Sequence, residues 1–254
     1  MNLLTPTART KAPMDPMRRT ALIAGVLYLA TFVFSIPAAF GFYDSILHNH
    51  RFVLGAGSES AVLWGGLFEV ITGLAGIGTA VVLYPVAKRY SRNGAMGFLA
   101  SRILEASIIV VGVVSLLSVV TLRQDLGGTD APGLVTVARS LVAVKNWTFL
   151  LGPGFLSAVN AFCLGTVMYR SRLVPRIIPT IGLIGAPLLL ASSIGTLFGL
   201  HDQVSATASL MALPIAAWEF SLGVWMMVKG FKAVPAAPDT PTEHRTPAYS
   251  GAAA

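Results

Sequence analysis

Arg102 and Glu105 are a base and an acid three residues apart, so on a helix they share one face. Both stand within 94–122, GAMGFLASRILEASIIVVGVVSLLSVVTL, a stretch apolar and long enough to cross a bilayer. A charge at such a depth costs about 2.5–3.5 kcal/mol even on lenient insertion scales, so an ionisable residue there points to a site. Glu69 and Glu219 raise the same question in two other apolar runs. Acids and a base held in a low-dielectric layer can bind a proton, bind a cation or hold helices together.

Depth along the helices sharpens the point. Glu105, Glu219 and Asn160 each lie nine residues from the basic end of their run, about 13 Å into a core of about 30 Å. Arg102 sits about one turn shallower, and Glu69 nearer the opposite face. The expectation is a polar layer of Glu69, Arg102, Glu105, Asn160 and Glu219. Two readings stay open. In the first, Arg102 snorkels or pairs with Glu105, while Glu69 and Glu219 bond to hydroxyls such as Thr72 and Ser221 as helix glue. In the second, the layer lines a functional cavity, and with three acids against one base at least one carboxyl is neutral or faces water.

The elements that must position these residues are apolar runs at about 20–40, 61–86, 95–122, 147–169, 177–199 and 209–228. The 254-residue chain is 54% hydrophobic and only 11% charged, too few polar residues to cover a soluble core. The fold class expected is therefore all-α, a polytopic bundle of six transmembrane helices. It is flanked by a disordered basic leader, 1–19, and a Pro- and Ala-rich tail, 231–254. Thirteen lysines and arginines fall in the leader, the tail and the loops on their side, against Arg51, Arg123, Arg139 and Lys145 opposite. That bias places both termini in the cytoplasm. The segment 133–145 has apolar residues at helical spacing, and it is either an interfacial helix or a lead-in to the fourth span interrupted at Gly152-Pro153-Gly154.

Other constellations carry less. His48 and His50 with Asp44, and His201 beside Asp202, are loop clusters without metal-site spacing. No histidine lies in a span, and no serine has a His or Lys at membrane depth to activate it. Catalysis, a metal and an organic cofactor are therefore not expected. Cys163 is the one cysteine, and it reads as a packing residue. The net charge of +7 is scattered between apolar runs and forms no stripe for nucleic acid. The small-residue pair Gly195 and Gly199 has the GxxxG spacing, which reads as close helix packing.

Several segments together resemble a known family. They are RRTALIAGVLYLATFVFSIPA (18–38), GTAVVLYPVAKR (78–89), GFLASRILEASIIVVGVVSLLSVVTLR (97–123), FLLGPG (149–154) and MYRSRLVPRIIPTIGLIGAPLLLAS (168–192). The chain is similar to the bacterial integral membrane family known as domain of unknown function 4386. The resemblance implies a multi-span protein of the bacterial cytoplasmic membrane, and it brings no catalytic residues. Two functions stay in view: a non-enzymatic membrane protein whose charges hold the bundle, or a small proton- or cation-coupled transporter. A carrier of six spans would need a second copy, and otherwise the partners expected are the lipid bilayer and an unidentified membrane protein.

Overall fold

Hydrocarbon offers no partner to a backbone N–H or C=O, so long apolar runs satisfy their amides internally as helices. The computed structural model describes residues 14–49, 51–126 and 131–232, and it contains no strand among them. Helix α1 (Pro16–Pro37) begins with proline at its first position and the Asp15 carboxylate accepting from the Arg18 amide, 3.2 Å. Residues 16–19, expected in the leader, are therefore the first turn of this helix. It runs on through a π-helical turn, Ala38–Phe42. The following loop holds a single helical turn, α2 (Asp44–Leu47), and a 3₁₀ turn, Phe52–Leu54.

Helices α3 (Glu59–Ala87) and α4 (Arg92–Leu126) form the second and third spans. Then α5 (Ala131–Phe149) continues without a break through a π-helical stretch, Leu150–Leu156, into α6 (Ser157–Ser171). Segment 133–145 is thus the lead-in to the fourth span. Pro153 lacks an N–H and crowds the preceding turn; the wider i→i+5 spacing absorbs it where an α-helix would kink. Helices α7 (Ile177–Leu197) and α8 (Ala206–Val228) complete six stretches long and apolar enough to cross a membrane.

Neighbours in the chain are neighbours in space. α1 packs on α3, α3 on α4, α4 on α5 and α6, α6 on α7, and α7 on α8, and α8 returns to α1 to close a ring. At the end bearing the termini, the Arg18 guanidinium donates to the last carbonyls of α8, Met226 at 3.1 Å and Met227 at 2.7 Å. Tyr28, Leu83, Phe98, Met168 and Trp218 fill this half of the ring. At the far end Arg123 donates to the carbonyls of Gly55 (3.1 Å) and Ala56 (3.0 Å), fixing the α2–α3 loop over the bundle. Tyr43, Phe52 and Leu116 pack beneath that loop.

Candidate functional site

α4 carries Ser101, Arg102 and Glu105 on one face, and α6 carries Ser157 and Asn160 on another, again three residues apart. The ring turns these faces toward each other and toward Glu219 on α8. Arg102 is only 5% exposed, and its guanidinium bridges two carboxylates, Glu105 at 3.0 Å and Glu219. Glu105 also accepts from Ser157 Oγ at 3.0 Å and from Asn160 Nδ2 at 2.7 Å. Ser101 donates to Asn160 Oδ1, which fixes the amide so that its NH₂ faces Glu105. The rings of Tyr28 and Phe98 lie 5.6 and 5.7 Å from the guanidinium carbon, on the side toward the termini. Arg102 therefore does not snorkel: its charge is held inside by two acids.

Glu69 is elsewhere. On α3 it lies seven residues beyond Gly76, the position that faces Arg102, about 10 Å further toward the far end. Its partner is Lys145, whose Nζ reaches both carboxylate oxygens, Oε2 at 2.6 Å. The Tyr43 hydroxyl donates to the same Oε2 at 3.0 Å, and the ammonium lies 5.1 Å from the Tyr43 ring centre. Two missing side chains make room. Gly65, one turn before Glu69, faces the Tyr43 ring so closely that a Cβ there would stand 2.5 Å from Cε1. Gly112 on α4 leaves the Lys145 stem its passage to α3; a Cβ would meet Cδ at 3.1 Å and collide with Thr148.

The polar layer of five residues is thus two clusters. The structure brings Arg102, Glu105, Asn160 and Glu219 together and gives Glu69 to a different base. Thr72 and Ser221, expected as acceptors' partners, bond back to their own helix carbonyls at Phe68 and Trp218. Lys145, counted from the sequence among the loop residues, is 5% exposed inside the fourth span. A partial signal existed: Glu69 had no base of its own at its depth, and Lys145 ends a segment of helical spacing that could lead into the fourth span. Tyr43, Ser101 and Ser157 have no such signature. His48 and Asp44 pair at 3.1 Å on the exposed helix α2, and His50 lies outside the described residues. Gly195 sits against the His201 ring rather than a helix, and Gly199 takes the left-handed conformation (φ 73°) that ends α7.

A cavity of about 330 Å³ occupies the far half of the ring and reaches Glu69, Arg102, Glu105 and Glu219. Its walls are mostly apolar, with Phe32, Ile109, Leu189 and Ile215 among them, and it extends to Gln203 in the loop before α8. Ser192 and Ser193 on α7 also line it. They are 4% and 3% exposed. Ser115 and Ser171 turn back on carbonyls of their own helices.

Six spans closed in a ring, with acids and bases paired in the interior, define a multi-pass integral membrane protein. The sequence matches the family described as Domain of unknown function (DUF4386) over residues 23–230, and the chain belongs to that family. No curated protein and no solved structure matches it.

Proposed function

We propose that this protein is non-enzymatic and binds a small molecule in the central cavity, working as a proton- or cation-coupled carrier. The observation that carries this reading is the cavity itself, which brings solvent-sized space to three carboxyls, Glu69, Glu105 and Glu219, and to one base, Arg102, in the membrane interior. Pockets of this size with a few convergent polar groups are the usual form of a ligand site. Lys145 balances Glu69, whereas Arg102 alone faces Glu105 and Glu219. One carboxyl is therefore in surplus, and it takes either a proton or a cation, which is the chemistry of coupled carriers.

The topology supported by the loop charges puts both termini in the cytoplasm of a bacterial cell. A reporter active only in the cytoplasm, fused after residue 254, should be active. Activity from the opposite side alone would reverse the assignment. A second copy is the expected partner, because carriers of this size act as dimers when the transport path needs more than six helices.

The test is thermal denaturation in detergent against a panel of small cations, anions and neutral molecules. The protein is compared with Ala216→Trp, which fills the cavity. At least one class should raise Tm in the parent and not in the filled variant; no class doing so would remove the ligand-binding reading. A structural reading is favoured by a different fact: every carboxyl in the two clusters has at least one donor, so the bonds tie α3 to α5 in one cluster and α4 to α6 and α8 in the other.

A further inference from the structure

We propose that the ligand of this cavity is an amphipathic organic cation, and that it reaches the site sideways, between α1 and α8, from the leaflet opposite the termini. The inference rests on the ligand-binding reading above and adds the charge, the shape and the route.

The charge follows from the floor of the cavity. Glu105 and Glu219 outnumber Arg102, and the second cluster is neutral as a pair, so the site has one carboxyl more than its bases balance, able to give up its proton when a cation binds. An ammonium group balances it without displacing Arg102. The wall above is aliphatic and aromatic, with Phe32 and Phe149 suited to an apolar body and to the face-on approach of a cation. Ser192 and Ser193 add two hydroxyls to the same lining, oxygens that can accept from a polar guest.

The route follows from how α1 and α8 diverge. Near the termini they touch backbone to backbone: a Cβ on Gly25 would lie 2.6 Å from the Met227 nitrogen, and one on Gly223 would lie 3.0 Å from Tyr28 Cβ. One or two turns on, Phe32 and Phe220 still meet edge to face at 5.7 Å. Beyond that level the same two stripes no longer meet. Ser35 on α1, Ala39 in the π-helical turn that continues it, and Ala216, Ala212 and Ala208 on α8 line the cavity instead. The far end of the first span, Ala38–Phe42, packs on α3. Ile36 and Phe40 line the cavity and are also 52% and 75% exposed on the lipid-facing side, so the gap opens toward hydrocarbon. An amphiphile dissolved in that leaflet meets the opening directly.

The probe is benzyltrimethylammonium, measured by equilibrium dialysis with the protein in nanodiscs of phosphatidylglycerol, which contain no ammonium lipid; empty discs are subtracted. Its uncharged isostere neopentylbenzene and the anion phenylacetate are run in parallel. The cation should bind the parent protein at least about tenfold tighter than either control, and Glu219→Gln should lose about that factor. Ala39→Trp, at the mouth of the cavity, should slow association by a larger factor than it weakens equilibrium binding. Phosphatidylethanolamine added to the discs tests whether a lipid ammonium competes, which would place the same chemistry on a headgroup. Equal or tighter binding of the anion or the isostere overturns the cation while leaving a ligand site in place. An association rate unchanged in Ala39→Trp overturns the lateral route. If neither the probes nor the wider panel distinguishes parent from Ala216→Trp, the ligand-binding reading itself falls.

Discussion

Lys145 and Glu69 are 76 residues apart in the chain, yet Nζ lies 2.6 Å from Oε2. The lysine stem passes α4 at Gly112 to reach α3, and the pair is closed by the Tyr43 hydroxyl. In the membrane interior this contact replaces the water that either charge would otherwise need.

Lys145→Met leaves a buried carboxylate with a single phenol donor. The expected loss is about 3–5 kcal/mol, the usual result of removing one member of a buried pair. Glu69→Gln/Lys145→Met should recover most of it, because no lone charge remains. Chemical denaturation in mixed micelles gives both values, and strictly additive losses would disprove the coupling.

Arg102 and Glu219 should respond unequally. Arg102→Leu strands Glu105 and Glu219 together and should cost about 3–5 kcal/mol. Glu219→Gln keeps an oxygen for the guanidinium and removes the surplus charge, so its thermal midpoint should stay close to the parent's. Equal, small effects from both would mean that the bridge contributes nothing to stability.

Gly65→Ala forces a methyl group onto the Tyr43 ring, an overpacking worth about 1–3 kcal/mol. Removing the ring in Gly65→Ala/Tyr43→Ala should make the second change cheaper than Tyr43→Ala in the parent. A double-mutant cycle on thermal denaturation measures that coupling, and a coupling of zero would show that the ring moves aside freely.

Gly152→Val tests the π-helical stretch. A branched side chain there meets Ile108 on α4, 3.1 Å from the glycine's ideal Cβ. It should push the fourth span away from α4 and weaken both clusters at once, since Lys145 and Ser157 flank the stretch. Lys145→Met should then cost less in the Gly152→Val background than in the parent; an unchanged cost would show that the two clusters do not depend on this contact.

The six spans were legible from the sequence because burial in lipid is a local requirement, met by each apolar run on its own. The pairing of Arg102 with Glu105 was legible for a similar reason: three residues on a helix set it. Equal depth also pointed to Glu219 and Asn160 as companions, since rise per residue is fixed. The want of a base near Glu69 hinted at Lys145, but its burial was not legible. Lys145 precedes Gly152-Pro153-Gly154, a stretch that reads as an interruption, and only the π-helical winding carries the helix through it. Nor did the sequence assign Glu69 to a separate cluster, although it placed Glu69 nearer the opposite face. Depth says at what level a side chain lies, but the ring order of the helices decides which neighbour it faces. That order also sets where α1 and α8 part, because it depends on glycine contacts at one end and small side chains at the other, between segments about two hundred residues apart.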